Sequence, residues 1–367
     1  TPYFQPILLP DEELLECELT PPTLLHESTT PTNMSGEPIL YSLYVYAPNK
    51  VAPVVFTVLF GISAVGHIWQ CSHYRAWRMI GLHPMCAVFY TAGYALREYG
   101  AFNYLYSTTN LNIYIVSQVM IYICPPLLEL ANYHVLGRVL YYVPYCAPFP
   151  PNRIMSLFGA LVAVVEALNG LGVAFTSNPS STQSIQELGS NLTKASLAFQ
   201  LAVIVVCVML AGLFYRKCVR EGVRSKNVNV PLIILCSSMF LILVRCIYRL
   251  VEHLGNVGLA IDDLESMRQL TPILRYEWYF YVFESTTMLF NSAVWNIWHP
   301  GRYLPRLHNV YLSLDGTEIA VEEHSDTRPL LAKAGSVLTF GIFFRQKKVD
   351  HGQSFALDSG NSRNSQA

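Results

Sequence analysis

Charge is the scarcest property of this sequence. Asp, Glu, Lys and Arg make up 13% of its 367 residues, where a soluble domain carries roughly 25%. Two or three soluble domains of this length would have too little charged surface to stay dispersed. The signatures of soluble catalysis are also missing. There is no G-x-x-x-x-G-K-[ST] phosphate loop, so direct ATP drive by this chain is not expected, and there is no H-E-x-x-H or C-x-x-C pair. We therefore expect no enzyme activity, no cofactor and no metal. Nucleic-acid binding has no support beyond the basic stretch Arg216–Lys226, which reads as a topology signal. Of nine cysteines only Cys17 falls clearly outside the apolar blocks and their inner loops, which excludes an outer disulfide framework. Residues 1–46 hold no stretch long enough to span a bilayer and no basic region followed by an apolar core, so no signal peptide is expected there.

Apolar residues are abundant, at 52%, and they come in blocks. The blocks are 51–70 and approximately 83–105, 112–135, 154–175, 195–215, 230–253 and 277–298. Each is near the length that a helix rising about 1.5 Å per residue needs to cross about 30 Å of hydrocarbon. The expected fold is all-α: a polytopic membrane protein of seven transmembrane helices. Residues 1–46 read as an extracellular disordered tail, 47–305 as the seven-helix domain and 306–367 as a cytoplasmic tail.

Orientation follows from the loop cations. With the N-terminus outside, Arg75, Arg78, Arg138, Arg153, Arg216, Lys217, Arg220, Arg224, Lys226, Arg302 and Arg306 fall inside. Only Lys50, Lys194, Arg268 and Arg275 then fall outside. The glycosylation sequons at Asn33 and Asn191 lie outside in the same arrangement, as does the acidic run Asp262, Asp263 and Glu265. Trp278 and Tyr279 at one end of the last span, and Trp295 and Trp298 at the other, suit headgroup-level anchors. Gly159, Ala163 and Ala167 recur every four residues, a spacing that lets helices approach closely. The short apolar run 336–344 cannot span.

The informative residues are the charges inside the spans, since each costs about 2.5–3.5 kcal/mol at mid-membrane unless paired or wet. Arg97 and Glu98 fall in the outer half of span two. Arg245, Arg249 and Glu252 share one face of span six at i, i+4, i+7. Glu277, Tyr281 and Glu284 have the same spacing on span seven. A basic and an acidic stripe at similar depth suit either a structural ion-pair network or a polar vestibule open to the outer leaflet. Glu129 and Glu166 sit deeper, with Asn169 one turn from Glu166. The Pro125-Pro126 pair is expected to kink or break span three. His67, His73 and His83 lie near one loop and read as headgroup-level histidines rather than as metal ligands.

Several strings resemble the fungal lipid-translocating exporter family, the aminocholesterol-resistance-like seven-pass membrane proteins. They are Tyr46-Ala47-Pro48-Asn49, Gly93-Tyr94-Ala95-Leu96-Arg97, Gln118 with Pro125 or Pro126, Gln200, Leu241–Glu252 (LILVRCIYRLVE), Glu277–Glu284 (EWYFYVFE) and His299-Pro300-Gly301. The R-x-I-Y-R-x-x-E string within them is the most specific. The chain departs from its relatives at Tyr90, where they often carry Glu, and at Val162 and Asn169, where they often carry Asp and Gln. Glu284 stands where Asp is usual. The resemblance implies export or flipping of sphingoid long-chain bases at the plasma membrane and resistance to amphipathic toxins. Membrane lipids would be the partners. The carboxylates of Glu98, Glu252, Glu277 and Glu284 would receive the amine. A seven-span receptor or regulator that does not itself move lipid has the same topology and is the alternative.

Overall fold

A computed structural model describes residues 38–149, 151–177, 182–223, 225–255, 264–305, 310–313 and 317–320. All of them belong to one unit, Thr1–Glu323. The expected apolar blocks are helices whose ends are set by local chemistry. Helix α1 (Ala52–Tyr74) starts with Pro53 in its first turn, where a missing N–H costs nothing. Asn49 Oδ1 accepts from the backbone N–H groups of Val51 and Ala52 at 2.7 and 3.0 Å, and Arg75 ends the helix in the left-handed conformation. A short α2 (Trp77–Ile80) leads into α3 (Leu82–Phe102). Ser107 caps α4 (Thr108–Tyr122), accepting from Asn110 N at 3.2 Å. Pro125 and Pro126 lie in the first turn of α5 (Cys124–Tyr142), so the expected break of span three falls at Ile123, between two helices. Then follow α6 (Pro151–Ser177), α7 (Gln183–Arg220) and α8 (Lys226–Leu254). Short α9 (Leu264–Arg268) and α10 (Pro272–Arg275) precede the last segment. That segment is α11 (Trp278–Phe280), a π-helical turn (Tyr281–Thr286) and α12 (Thr287–Ile297).

Among the described residues five helical stretches are long and apolar enough to cross a membrane: Ala52–Tyr74, Thr108–Tyr142 (α4 and α5 taken together), Ile154–Thr176, Gln183–Arg220 and Lys226–Leu254. The two other blocks are the more polar α3 and the interrupted α11–α12. Neighbour packs on neighbour in a ring: α1 on α3, α3 on α4 and α5, α5 on α6, α6 on α7, α7 on α8, α8 on α12, and α12 back on α1. Helix α5 also touches α8, and most of its length is buried. The bundle reverses the rule for soluble proteins. Val54, Val55, Val58, Ile62 and Val65 of α1 are exposed, as are Val205, Val206, Met209 and Leu213 of α7, while Arg97, Glu129, Asn132, Arg245, Arg249, Glu284 and Asn291 are buried. Apolar surface outside and charge inside is the arrangement that hydrocarbon solvent requires. The chain is an all-α integral membrane protein.

Several expectations are corrected. Residues 38–46 are not tail, because Leu43, Tyr44 and Val45 are buried, with Tyr44 packed on Tyr114 of α4 and Val45 on Met267 of α9. Helix α7 outruns the predicted span at both ends, so Arg216, Lys217 and Arg220 sit on a helix and not in a loop. Gly159 is buried, but Ala163 and Ala167 are exposed, so that stripe does not draw helices together. Close approach of α6 and α7 occurs instead at Gly172 and Gly189, where a Cβ on Gly189 would stand 2.7 Å from the Gly172 carbonyl oxygen. Within the expected tail, β1 (Val310–Leu312) pairs antiparallel with β2 (Glu318–Ala320), and Tyr142 of α5 donates to Glu318 at 2.7 Å. Asn33, Cys17, the Asp262-Asp263 pair and the run 336–344 lie outside the described residues.

Candidate functional site

Three ion pairs organise the end of the bundle at which α1 begins. Arg97 of α3 donates to Glu277 Oε1 at 3.0 Å and to the Tyr281 hydroxyl at 3.3 Å. Its guanidinium lies over the rings of Phe280 (4.2 Å) and Tyr44 (4.9 Å), a stacking that a planar cation allows. The second oxygen of Glu277 accepts from Asn49 N at 2.6 Å. One carboxylate therefore ties the start of α1 to α3 and to the last segment. Arg245 of α8 donates from Nε to both oxygens of Glu284, at 2.9 and 2.8 Å, and Glu284 is fully buried. Arg249 pairs with Glu252 on its own helix, and its guanidinium stacks on Tyr122 at 4.1 Å.

The two predicted stripes thus meet only at Arg245–Glu284. The reason is the π turn. On an uninterrupted α-helix Glu277 and Glu284 would share a face. A π turn accommodates about one extra residue and rotates what precedes it by roughly 100°. Glu277 turns toward α3 and Glu284 toward α8. Glu252, Glu277 and Glu284, which the resemblance puts forward to receive an amine, each pair with an arginine here, and of the three only Glu252 lines the cavity described next. Glu98 is half-buried on α3 near Lys50, and one of its carboxyl oxygens is buried without a hydrogen-bond partner. Glu166 and Asn169 are half-buried on α6 and belong to none of the three pairs.

A cavity of about 60 Å³ opens above this network, large enough for a few waters or a small polar head. Arg97, Glu252 and Gln118 line it, together with Tyr44, Tyr46, Tyr114, Tyr122, Tyr248, Tyr276 and Phe280. Burial pushes the Tyr46 phenol far above its ordinary range, with the Glu277 charge adding to the effect, and it raises Tyr44 as well. Both rings therefore present neutral hydroxyls at physiological pH. The tyrosine wall was missed in the sequence. The only signal was 23 tyrosines in a low-charge chain.

Two further polar groups lie deeper. Glu129 of α5, 1% exposed, accepts from the Tyr133 hydroxyl and from Gln200 Nε2 of α7 at 2.7 Å. Toward the other end, His67 contacts Ser292 Oγ at 3.1 Å, Ser63 contacts Ser292 at 2.6 Å, and Asn296 donates to Ser63 Oγ at 2.7 Å. His67 and His83 are buried in the bundle, whereas His73 is exposed. Among the described residues no three His, Cys, Asp or Glu side chains come together as a metal site. Asn191 is exposed on α7, two turns inside its start.

The strings that carried the resemblance converge on these contacts. Tyr46 lines the cavity and Asn49 joins α1 to Glu277. Gly93 leaves room for α4, since a Cβ there would stand 2.8 Å from Ile121, and its carbonyl accepts from Ser117 at 2.8 Å. Tyr94 donates to Ser285 at 2.6 Å. His299 Nδ1 accepts from Gly301 N at 3.1 Å and its ring stacks on Tyr74 of α1, closing the turn after α12.

An ion-paired helical bundle with apolar walls and buried charge defines an integral membrane protein. The RTA1 like protein family matches residues 84–307, and the chain belongs to that family. It is 49% identical to the lipid-translocating exporter-like protein RTA1 of Leptosphaeria maculans over 87% of this chain and 63% of that one. The present chain thus spans less than two thirds of that relative. It is 25% identical to the probable lipid transporter atnI of Emericella nidulans, over 72% of this chain and 68% of that one. It is 26% identical to protein RTA1 of Saccharomyces cerevisiae, over 73% of this chain and 88% of that one. No solved structure matches.

Proposed function

We propose that this protein is a lipid transporter of the plasma membrane that exports sphingoid long-chain bases or similar single-chain amphipathic amines, and that it contributes in this way to toxin resistance. It crosses the membrane seven times with its N-terminus outside and its C-terminus in the cytoplasm, and it makes or breaks no covalent bond. The observation that carries the reading is the cavity lined by Arg97, Glu252 and tyrosines at the end of a bundle whose outer surface is apolar. An amine has Glu252 and several hydroxyls to meet there, while its chain lies along the exposed apolar faces of the helices. The names of the relatives support the same class.

The test is reconstitution of the full chain in phosphatidylcholine vesicles with a fluorescent sphingosine, following its appearance in the opposite leaflet. Protein-containing vesicles should move it well above the rate of empty ones. Arg97→Ala and Glu252→Gln should each cut the excess rate about tenfold, the equivalent of about 1.4 kcal/mol. A wild-type rate equal to that of empty vesicles would reject the proposal.

A further inference from the structure

Arg97, Arg245 and Arg249 each lie against a carboxylate, and of the carboxylates within the spans that matching leaves Glu98, Glu129 and Glu166, of which only Glu129 is fully buried. Among the described residues no arginine, lysine or histidine nitrogen lies within ion-pair distance of it. It sits on α5, which packs against α3, α6 and α8, and it is 1% exposed. The cavity described above does not reach it. Its two oxygens are already engaged, one by Tyr133 from the next turn of its own helix and the other by Gln200 from α7. Closed off from the cavity and from solvent, the site suits the smallest cation, the proton.

The chemistry of the two partners points the same way. A charged carboxylate held only by neutral donors in a low-dielectric interior carries a large desolvation cost. A protonated carboxyl does not, but its O–H then needs an acceptor. An arginine could not supply one, because it only donates. A tyrosine hydroxyl can turn and accept, and a glutamine amide can flip to present its oxygen. Gln200 Oε1 at present accepts from the Cys246 thiol at 3.5 Å, so a flip places its NH₂ beside that sulfur, a weak acceptor. Both protonation states are therefore hydrogen-bonded without any movement of helices. The other groups facing the site are Glu166 from α6, Arg245 and Cys246 from α8 and Cys207 from α7, none of them in contact with the carboxylate.

We propose that Glu129 is a proton-exchange site at the centre of the bundle, and that the proton it takes up and releases drives lipid movement. In each cycle the carboxylate takes a proton from hydronium on one side, leaving water and passing from charge −1 to neutral, and gives it back to water on the other side as hydronium; no other bond changes. The driving half rests on the transporter reading, whereas the binding half does not.

Two measurements on the full chain in phosphatidylcholine vesicles separate these halves. Infrared difference spectra between acid and alkaline buffer should show a protonated-carboxyl band that titrates in the wild type and in Glu166→Gln but is missing in Glu129→Gln. Should Glu129→Gln fail to fold, Tyr133→Phe serves instead. Losing one donor to the charged form should raise the midpoint by about one pH unit, a tenfold gain in proton affinity. Spectra unchanged by both Glu129→Gln and Tyr133→Phe would overturn the site, whatever the outcome for transport. Fluorescent sphingosine movement should respond to an imposed proton gradient in the wild type and not in Glu129→Gln. A response that survives in Glu129→Gln would overturn the coupling.

Discussion

Neutralising Glu284 should be the most damaging single carboxylate change in the bundle. Its side chain is 0% exposed and that of its partner Arg245 is 6% exposed. Arg245 Nε reaches both carboxylate oxygens, at 2.9 and 2.8 Å. Glu284→Gln keeps the shape but leaves the guanidinium facing a neutral amide. Removing one partner of a buried pair costs about 3–5 kcal/mol, because the other charge stays behind uncompensated. Typical total stabilities are about 5–15 kcal/mol, so the variant would lose a large share. Replacing both residues, with Arg245→Met and Glu284→Leu together, removes both charges and should cost far less than the two single costs added, a coupling of roughly 2–3 kcal/mol. The assay is equilibrium unfolding of the purified protein in mixed micelles, followed by tryptophan fluorescence for each single variant and the double. A Glu284→Gln cost below about 1 kcal/mol, or additive single costs, would refute the claim that this pair is sealed from water.

Other outcomes follow from the same contacts. Arg97→Lys keeps a positive charge near Glu277 but loses the flat stack against Phe280 and Tyr44, and should cost about 1–2 kcal/mol in the same unfolding assay. Gly189→Val drives a branched side chain into the Gly172 carbonyl and should destabilise by about 1–3 kcal/mol, whereas Gly212→Ala, with nothing within 4 Å, should be neutral or gain up to about 1 kcal/mol. With the N-terminus outside, Asn191→Gln should reduce a glycosidase-sensitive mobility shift of the protein made in fungal cells; a shift unaltered by the substitution would count against Asn191 as an acceptor. Truncation after Ala320 should leave sphingosine movement intact, and a loss of cellular toxin resistance with movement preserved would favour the regulator reading.

Much of the fold was legible because hydrocarbon solvent writes a coarse message. An apolar block of span length has few alternatives to a helix, and the structure has helices at all the predicted blocks. Their ends were harder to read. Helix α7 continues past its apolar stretch through Arg216 and Lys217, residues that read as loop but have good helix propensity. Buried charges were found as individuals, because a charge in an apolar block is conspicuous. Their partners were not, because pairing depends on helix rotation. Arg97 with Glu277 joins positions 180 residues apart. Glu129 was noticed, but only the structure brings Gln200 to it from α7. The tyrosine wall was hidden because a tyrosine in a span reads as an ordinary buried aromatic.

The π turn at Tyr281–Thr286 has a bearing on how relatives of this chain are compared. One surplus residue sits between the acid that faces α3 and the acid that faces α8, so the last segment works as a phase shifter. A relative lacking that residue would keep every side chain and lose the geometry: its upper acid would swing about 100° off the arginine of α3. A one-residue gap in an alignment at this point therefore weighs more than any single substitution nearby. Counting residues between the two acids is a quick first check on whether a homologue shares this wiring.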